Sequence, residues 1–241
     1  MIPTSQLKKH KVKNVETLTL DMENARAEVY QFLGTLLTEN LSPESLGNIL
    51  NVKTASHVKA LFSDPEVHRD FEKLIDDFSE RRLAETDIML DFEALLRVPG
   101  PAYICPYESS YRNRKQIQGL TQWGSLNGPS TRAVQRFYQN EHLSVRSELA
   151  DFPDHIGAEM TFMACLCRKM AQALNNGNES IAEELREKQK QFLQNHLLQW
   201  SKDFANEMRS KASTLFYRCL ADLLSNFLDM EERFLRSESI S

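Results

Sequence analysis

Residues 151–159 read DFPDHIGAE, and three of their side chains carry chemistry. His155 and Glu159 stand four residues apart, which puts both on one face of a helix. With Asp154 they could share a metal ion and so support a metal-dependent hydrolase. A real site needs two ligands beyond His155 and Glu159, and sequence spacing supplies none nearby. The competing reading is a helix start. Asp154 would accept hydrogen bonds from the first free amides and sit favourably at the positive helix end, leaving His155 to contact a neighbouring segment. Cys165 and Cys167 lie in a helical pattern without a second Cys or His pair, so they read as packed thiols, as do Cys105 and Cys219. Gly119, Gly124 and Gly128 match no phosphate-binding fingerprint, and no serine nucleophile elbow is present. We therefore expect no catalytic residue, no metal and no cofactor.

The other chemistry-bearing stretch holds Tyr103, Tyr107, Glu108, Ser109, Tyr111, Arg112 and Trp123. It lies where chain breakers concentrate. Residues 99–129 contain four of the eight prolines and four of the eight glycines, whereas 158–241 holds no proline and only Gly177. The first segment reads as a long loop and the second as helix. Amphipathic rings on such a loop either cover the core or line a groove for a peptide.

The elements that must position these groups are helical. Residues 22–39 place Val29, Phe32, Leu33, Leu36 and Leu37 on one face. Ser42-Pro43-Glu44 and Asp64-Pro65-Glu66 each look like a cap and first turn. Further helices are expected over 83–96, 130–140, 154–175, 179–200 and 205–235. The 154–175 stripe of Ile156, Met160, Met163, Cys167, Met170 and Leu174 keeps one face buried. The last helix carries Ala212, Leu215, Phe216, Cys219, Leu220, Leu223, Leu224, Phe227 and Leu228. No alternating strand pattern stands out, so the class is all-α, a bundle of about 9–11 helices with a long central loop. We divide the chain into a basic polar tail (1–20), an N-terminal helical part (21–98), the Pro/Gly-rich loop (99–129) and a C-terminal helical part (130–241) with a hinge near 151–156.

With 241 residues and 41% hydrophobic content, the chain can bury a sizeable core. The net charge of −5 argues against a nucleic-acid binder. Residues 1–20 hold four lysines and one glutamate, so the rest carries −8 and suits a basic partner. No secretory signal and no membrane-length apolar run is present, which predicts a cytoplasmic protein.

Taken together, four stretches resemble the TorD/DmsD/NarJ family of redox-enzyme maturation chaperones. They are Arg26 with Tyr30, Phe32 and Leu33; FEALLRVPGPAYICPYESSYR (92–112); FPDHIGAEMTFMACL (152–166); and HLLQWSKDFANEMRSKASTLFYRCLADLLSNFL (196–228). They stand in family order and make residues 21–236 one family domain. Val98 replaces the usual glycine before the proline, and Leu96 the common phenylalanine. The resemblance implies a chaperone for a molybdopterin-containing oxidoreductase. It would bind the twin-arginine signal peptide, or the apo-form of the catalytic subunit, and hold it from export until the cofactor is inserted. A chaperone for a leaderless, nitrate-reductase-type subunit is the alternative. The family positions implicated in leader binding are Tyr30, Leu95, Leu96, Pro99, Pro106, Tyr107, Ser109, Tyr111, Asp154 and His155; each also has a core-packing reading. His196 and Trp200 match the pattern as structural residues. The family includes monomers and domain-swapped dimers.

Overall fold

A computed structural model describes residues 4–118, 120–144 and 152–237 of the chain. Among these residues there are eleven α-helices. They are α1 (Thr4–Thr38), α2 (Pro43–Ile49), α3 (Val52–Leu61), α4 (Pro65–Ser79), α5 (Glu85–Phe92), α6 (Glu108–Arg112), α7 (Pro129–Asn140), α8 (Ile156–Asn175), α9 (Glu179–Asn195), α10 (Ser201–Lys211) and α11 (Leu215–Ser237). The all-α expectation holds. Asp151, the first residue of the expected hinge, lies outside the described residues, as do the first three residues of the expected tail.

The central element is α8, packed along α1 on one side and against α9 on the other. Its expected stripe is in the core: Ile156, Met160, Met163, Cys167 and Met170 are buried, and Leu174 packs against them partly exposed. Small residues let α1 and α8 approach closely. A Cβ built on Gly157 would run into Thr38 Oγ1 and lie 2.8 Å from the Gly34 carbonyl oxygen. At the far side, Arg26 of α1 donates to both oxygens of Glu231 on α11 (Nε–Oε1 2.8 Å, Nη2–Oε2 2.6 Å) and to Gln189 of α9 (2.7 Å). One buried guanidinium thus ties three helices together.

Several boundaries differ from the sequence expectation, each for a local reason. Helix α1 begins at Thr4, not near residue 22, because residues 4–21 contain no proline or glycine to stop it. The expected caps hold: Ser42 Oγ accepts from Ser45 N, and Asp64 Oδ1 from Glu66 N. The single helix expected over 205–235 is two, α10 and α11. Buried Asp91 of α5 pulls the chain out of helix at the junction, accepting from Ser213 N (3.2 Å), Thr214 N (2.9 Å) and Thr214 Oγ1 (2.7 Å). The loop 99–129 is less irregular than its composition suggests. It contains α6 and an antiparallel hairpin pairing Lys115–Ile117 with Leu120–Gln122. The first of these strands is exposed at every residue, so it had no buried face to write an alternating pattern into the sequence.

Helix α5 continues into a single π turn, Glu93–Arg97, closed by Val98 N donating to Glu93 O at 2.7 Å. Pro99 follows, and it has no N–H to give the carbonyl of Leu95 four residues back. Ile104 N fills that role at 2.8 Å, so the chain after the prolines folds back onto the turn. Wide turns of this kind often accompany functional sites.

Candidate functional site

The return of the chain at Ile104 brings Pro106–Ser109 alongside Asp154–Ile156. Tyr107 and His155 form an isolated antiparallel bridge. Ile156 N donates to Pro106 O (2.9 Å) and Glu108 N to Asp154 O (3.0 Å). Two segments that the sequence singled out separately are therefore one laced structure, 45 residues apart in the chain.

Asp154 and His155 exchange the roles read from sequence. His155 is the cap of α8: its Nδ1 accepts from Gly157 N at 3.1 Å. Asp154 reaches across and caps α6, with Oδ2 accepting from Ser109 N at 2.8 Å. Expecting Asp154 to cap the helix it precedes was incorrect; Asp154 is turned toward the free amides at the start of α6, which a carboxylate satisfies well. Burial pushes the His155 imidazole down to about 4, so it is neutral at physiological pH, as an accepting Nδ1 requires.

Around this pair lies a buried polar cluster. Glu108 accepts from Arg112 Nη1 (2.6 Å) and from His196 Nδ1 (2.8 Å). Glu159 Oε2 accepts from Trp200 Nε1 (3.3 Å). Tyr138 of α7 donates its hydroxyl proton to Pro153 O (3.0 Å), fixing the approach to the hinge. Three polar atoms here have no hydrogen-bond partner among the described residues: Asp154 Oδ1, Ser109 Oγ and Glu159 Oε1. Buried polar atoms left unpaired are costly, so these three are candidates for bonding to a ligand. Among the described residues no three His, Cys, Asp or Glu side chains are arranged to hold a metal ion, and His155 Nδ1 is already engaged by backbone.

Outward from the cluster the wall is aromatic. Tyr107 is half-buried between Phe152 (5.4 Å between rings) and His155 (5.3 Å). Tyr111 is buried against Trp200 and Trp123, at 5.3 and 5.0 Å. Half-buried Tyr103 and Cys105 and exposed Val98 and Pro99 continue the surface.

The ten positions that the family resemblance implicates thus fall into distinct places. Pro106, Tyr107, Ser109, Asp154 and His155 are brought together, with Tyr111 adjoining through α6. Pro99 is exposed at the rim. Leu95 and Leu96 are buried beneath the rim, on the π turn. Tyr30 is fully buried on the far side of α1, its edge against Phe227 of α11 at 4.7 Å. Glu108 and Glu159 were not among those positions, although both sit at the centre. Glu159 was visible as one turn on from His155. Glu108 carried only the composition of its loop. A strongly apolar cleft lies elsewhere, between α1, α3 and α11, around Met22, Leu61 and Met230.

A helical bundle with a laced hinge, an aromatic wall and acceptor groups lacking partners defines a binding protein more than a catalyst. Comparison with known proteins agrees. A family model described as nitrate reductase delta subunit matches residues 63–206. The chain belongs to that family, the TorD/DmsD/NarJ redox-enzyme maturation chaperones. It is similar to the chaperone protein TorD of Vibrio atlanticus, 26% identical over 220 residues that cover 88% of this chain and 95% of the relative. Proteins of the same name from Colwellia psychrerythraea and Aliivibrio salmonicida are each 24% identical, covering 89% and 88% of this chain and 93% and 95% of the relatives. All three are named as chaperones, a role that is not enzymatic. No helix among the described residues is long and apolar enough to cross a membrane.

Proposed function

We propose that this protein is a cytoplasmic chaperone that binds the twin-arginine signal peptide of a molybdopterin-containing oxidoreductase and keeps the enzyme from export until its cofactor is in place. The observation carrying this reading is Asp154. It is fully buried, one of its oxygens has no partner, and it lies behind the half-exposed rings of Tyr107 and Phe152. A leader of that class joins two arginines to an apolar stretch. The carboxylate offers a planar guanidinium a charge-assisted hydrogen bond, and the aromatic wall with Val98 and Pro99 offers the apolar stretch a surface. Residues beyond the basic start carry a net −8, which draws a cationic peptide in.

Calorimetry with a synthetic twin-arginine leader tests the reading. Binding is expected at low ionic strength and should weaken several-fold as salt approaches about 0.3 M, because the Debye length falls to several ångströms. Asp154→Asn keeps an acceptor for Ser109 N and removes only the charge. It should weaken binding about tenfold, the order of one charge-assisted hydrogen bond, while unfolding stays cooperative. Absence of binding at low salt would overturn the reading.

A second client class is favoured by one finding, the description of the matching family model as a nitrate reductase subunit. Here the client is a catalytic subunit without a leader. Co-purification separates the two: a leaderless subunit retained on the protein, with no heat from leader peptides, selects the second.

A further inference from the structure

Glu108 and Glu159 are both fully buried and come from different elements, the start of α6 and the first turn of α8. Their carboxyl groups converge on one short turn, Glu108 on His196 Nδ1 (2.8 Å) and Glu159 on Trp200 Nε1 (3.3 Å), beside the Tyr107–His155 bridge. Ionised carboxylates only accept, so two of them side by side have no hydrogen to share. The gap in bonding is visible: Glu159 Oε2 has Trp200 as donor, whereas Oε1 has none. Glu108 already has two donors, Arg112 and His196. A single proton on Glu159 supplies the missing donor.

The other groups facing the pair leave that proton in place. Asp154 adds a third carboxylate from the hinge. Tyr138 spends its hydroxyl proton on Pro153 O. His155 is neutral, and Arg112 is already paired. Burial first, then the charges of Glu108 and Asp154, hold the Glu159 carboxyl well above the usual carboxylate range.

The pair also sits where movement must occur. Asp154 is fully buried, so a ligand reaches it only if Pro106–Ser109 parts from Asp154–Ile156. That parting admits water to Glu108 and Glu159. We infer that the Glu108–Glu159 pair is a one-proton latch: it holds the hinge closed while it shares a proton, and opening to receive the leader releases that proton to solvent. The O–H bond of Glu159 breaks, the proton passes to buffer, and no electrons are transferred. Leader capture would thereby be coupled to pH, and the freed carboxylates would add to the charge facing the arginines. The inference rests on the leader-binding reading for its ligand, and on the paired carboxylates for its mechanism.

Calorimetric titration of the full chain with a twin-arginine peptide, in buffers of different ionisation enthalpy at pH 7, counts the protons released. The wild type should release close to one per peptide, with affinity rising as pH rises, by up to tenfold per unit. Glu159→Gln places an amide donor on Glu108 and an acceptor on Trp200. It should release none and bind with an affinity that does not change with pH. Wild-type binding without buffer-dependent heat would overturn the latch and leave the leader reading standing. Failure of any leader to bind removes the leader reading, and the latch is then decided on the free protein. A group held above its unfolded value gives stability that is lost as pH rises through the folded value. The wild type should therefore lose melting temperature relative to Glu159→Gln as pH rises above the ordinary carboxylate range; parallel curves would overturn the latch. Should Glu159→Gln not fold, Glu108→Gln supplies the donor from the opposite side and is read the same way.

Discussion

His155 accepts a backbone hydrogen bond with the nitrogen that acid would protonate, and this gives the residue a measurable signature. Its folded value of about 4 lies below the ordinary 6.5 of a histidine. A depressed value means that the neutral form is favoured on folding. Stability is therefore full above about pH 6.5 and is lost as pH falls toward 4, by about 3 kcal/mol over the window. His155→Asn retains a capping acceptor without titrating there. The difference in melting temperature between wild type and His155→Asn should grow across pH 6.5 to 4, with the wild type losing ground; a constant difference would show that His155 titrates normally. At this scale the sequence revealed the participants and misassigned their bonds. Asp154 and His155 were legible as a helix entrance, since a proline and a periodic run flank them. Which of them caps α8 was not legible, because Asp154 answers to Ser109, 45 residues away.

Among the elements, α8 was the most legible, since a helix buried on one face writes its period into the sequence. The division between α10 and α11 was hidden, because Asp91 imposes it from another helix. The contents of the 99–129 loop were hidden too: α6 is only five residues long, and the hairpin has an exposed strand. The π turn could be read only in part. Pro99 announced a helix end, and the compensating bond from Ile104 to Leu95 needed the fold. The contact between α1 and α8 carries its own prediction. Gly157→Ala sets a Cβ against Thr38 Oγ1 and the Gly34 carbonyl. It should cost about 2 kcal/mol, as overpacking of a tight contact does, even though alanine favours helix more than glycine. Thr38→Ala in the same chain removes one of the two obstructions and should recover part of the loss. Full additivity of the two changes in thermal unfolding would show that the helices do not meet there.

For the whole molecule, charge and architecture point the same way. Residues 21–241 carry a net −8, and α8 joins α1 and α9 around a core that leaves the hinge strung between α6 and α7. The sequence made the class readable. It did not show that Leu95, Leu96 and Tyr30 would be buried, since an apolar side chain reads alike in a core and in a groove. In the proposed reading, residues 106–109 and 154–156 must part for a leader to reach Asp154, and these are the segments whose backbone amides are laced together. Hydrogen exchange of the full chain, with and without a twin-arginine peptide, tests this directly. Glu108 N, Ser109 N and Ile156 N now bond across the hinge or to Asp154. We predict that the peptide changes exchange at residues 106–111 and 152–157 and leaves α9 and α11 as they were. A bound peptide that alters exchange only at the α1, α3 and α11 cleft, with the hinge untouched, would contradict the account.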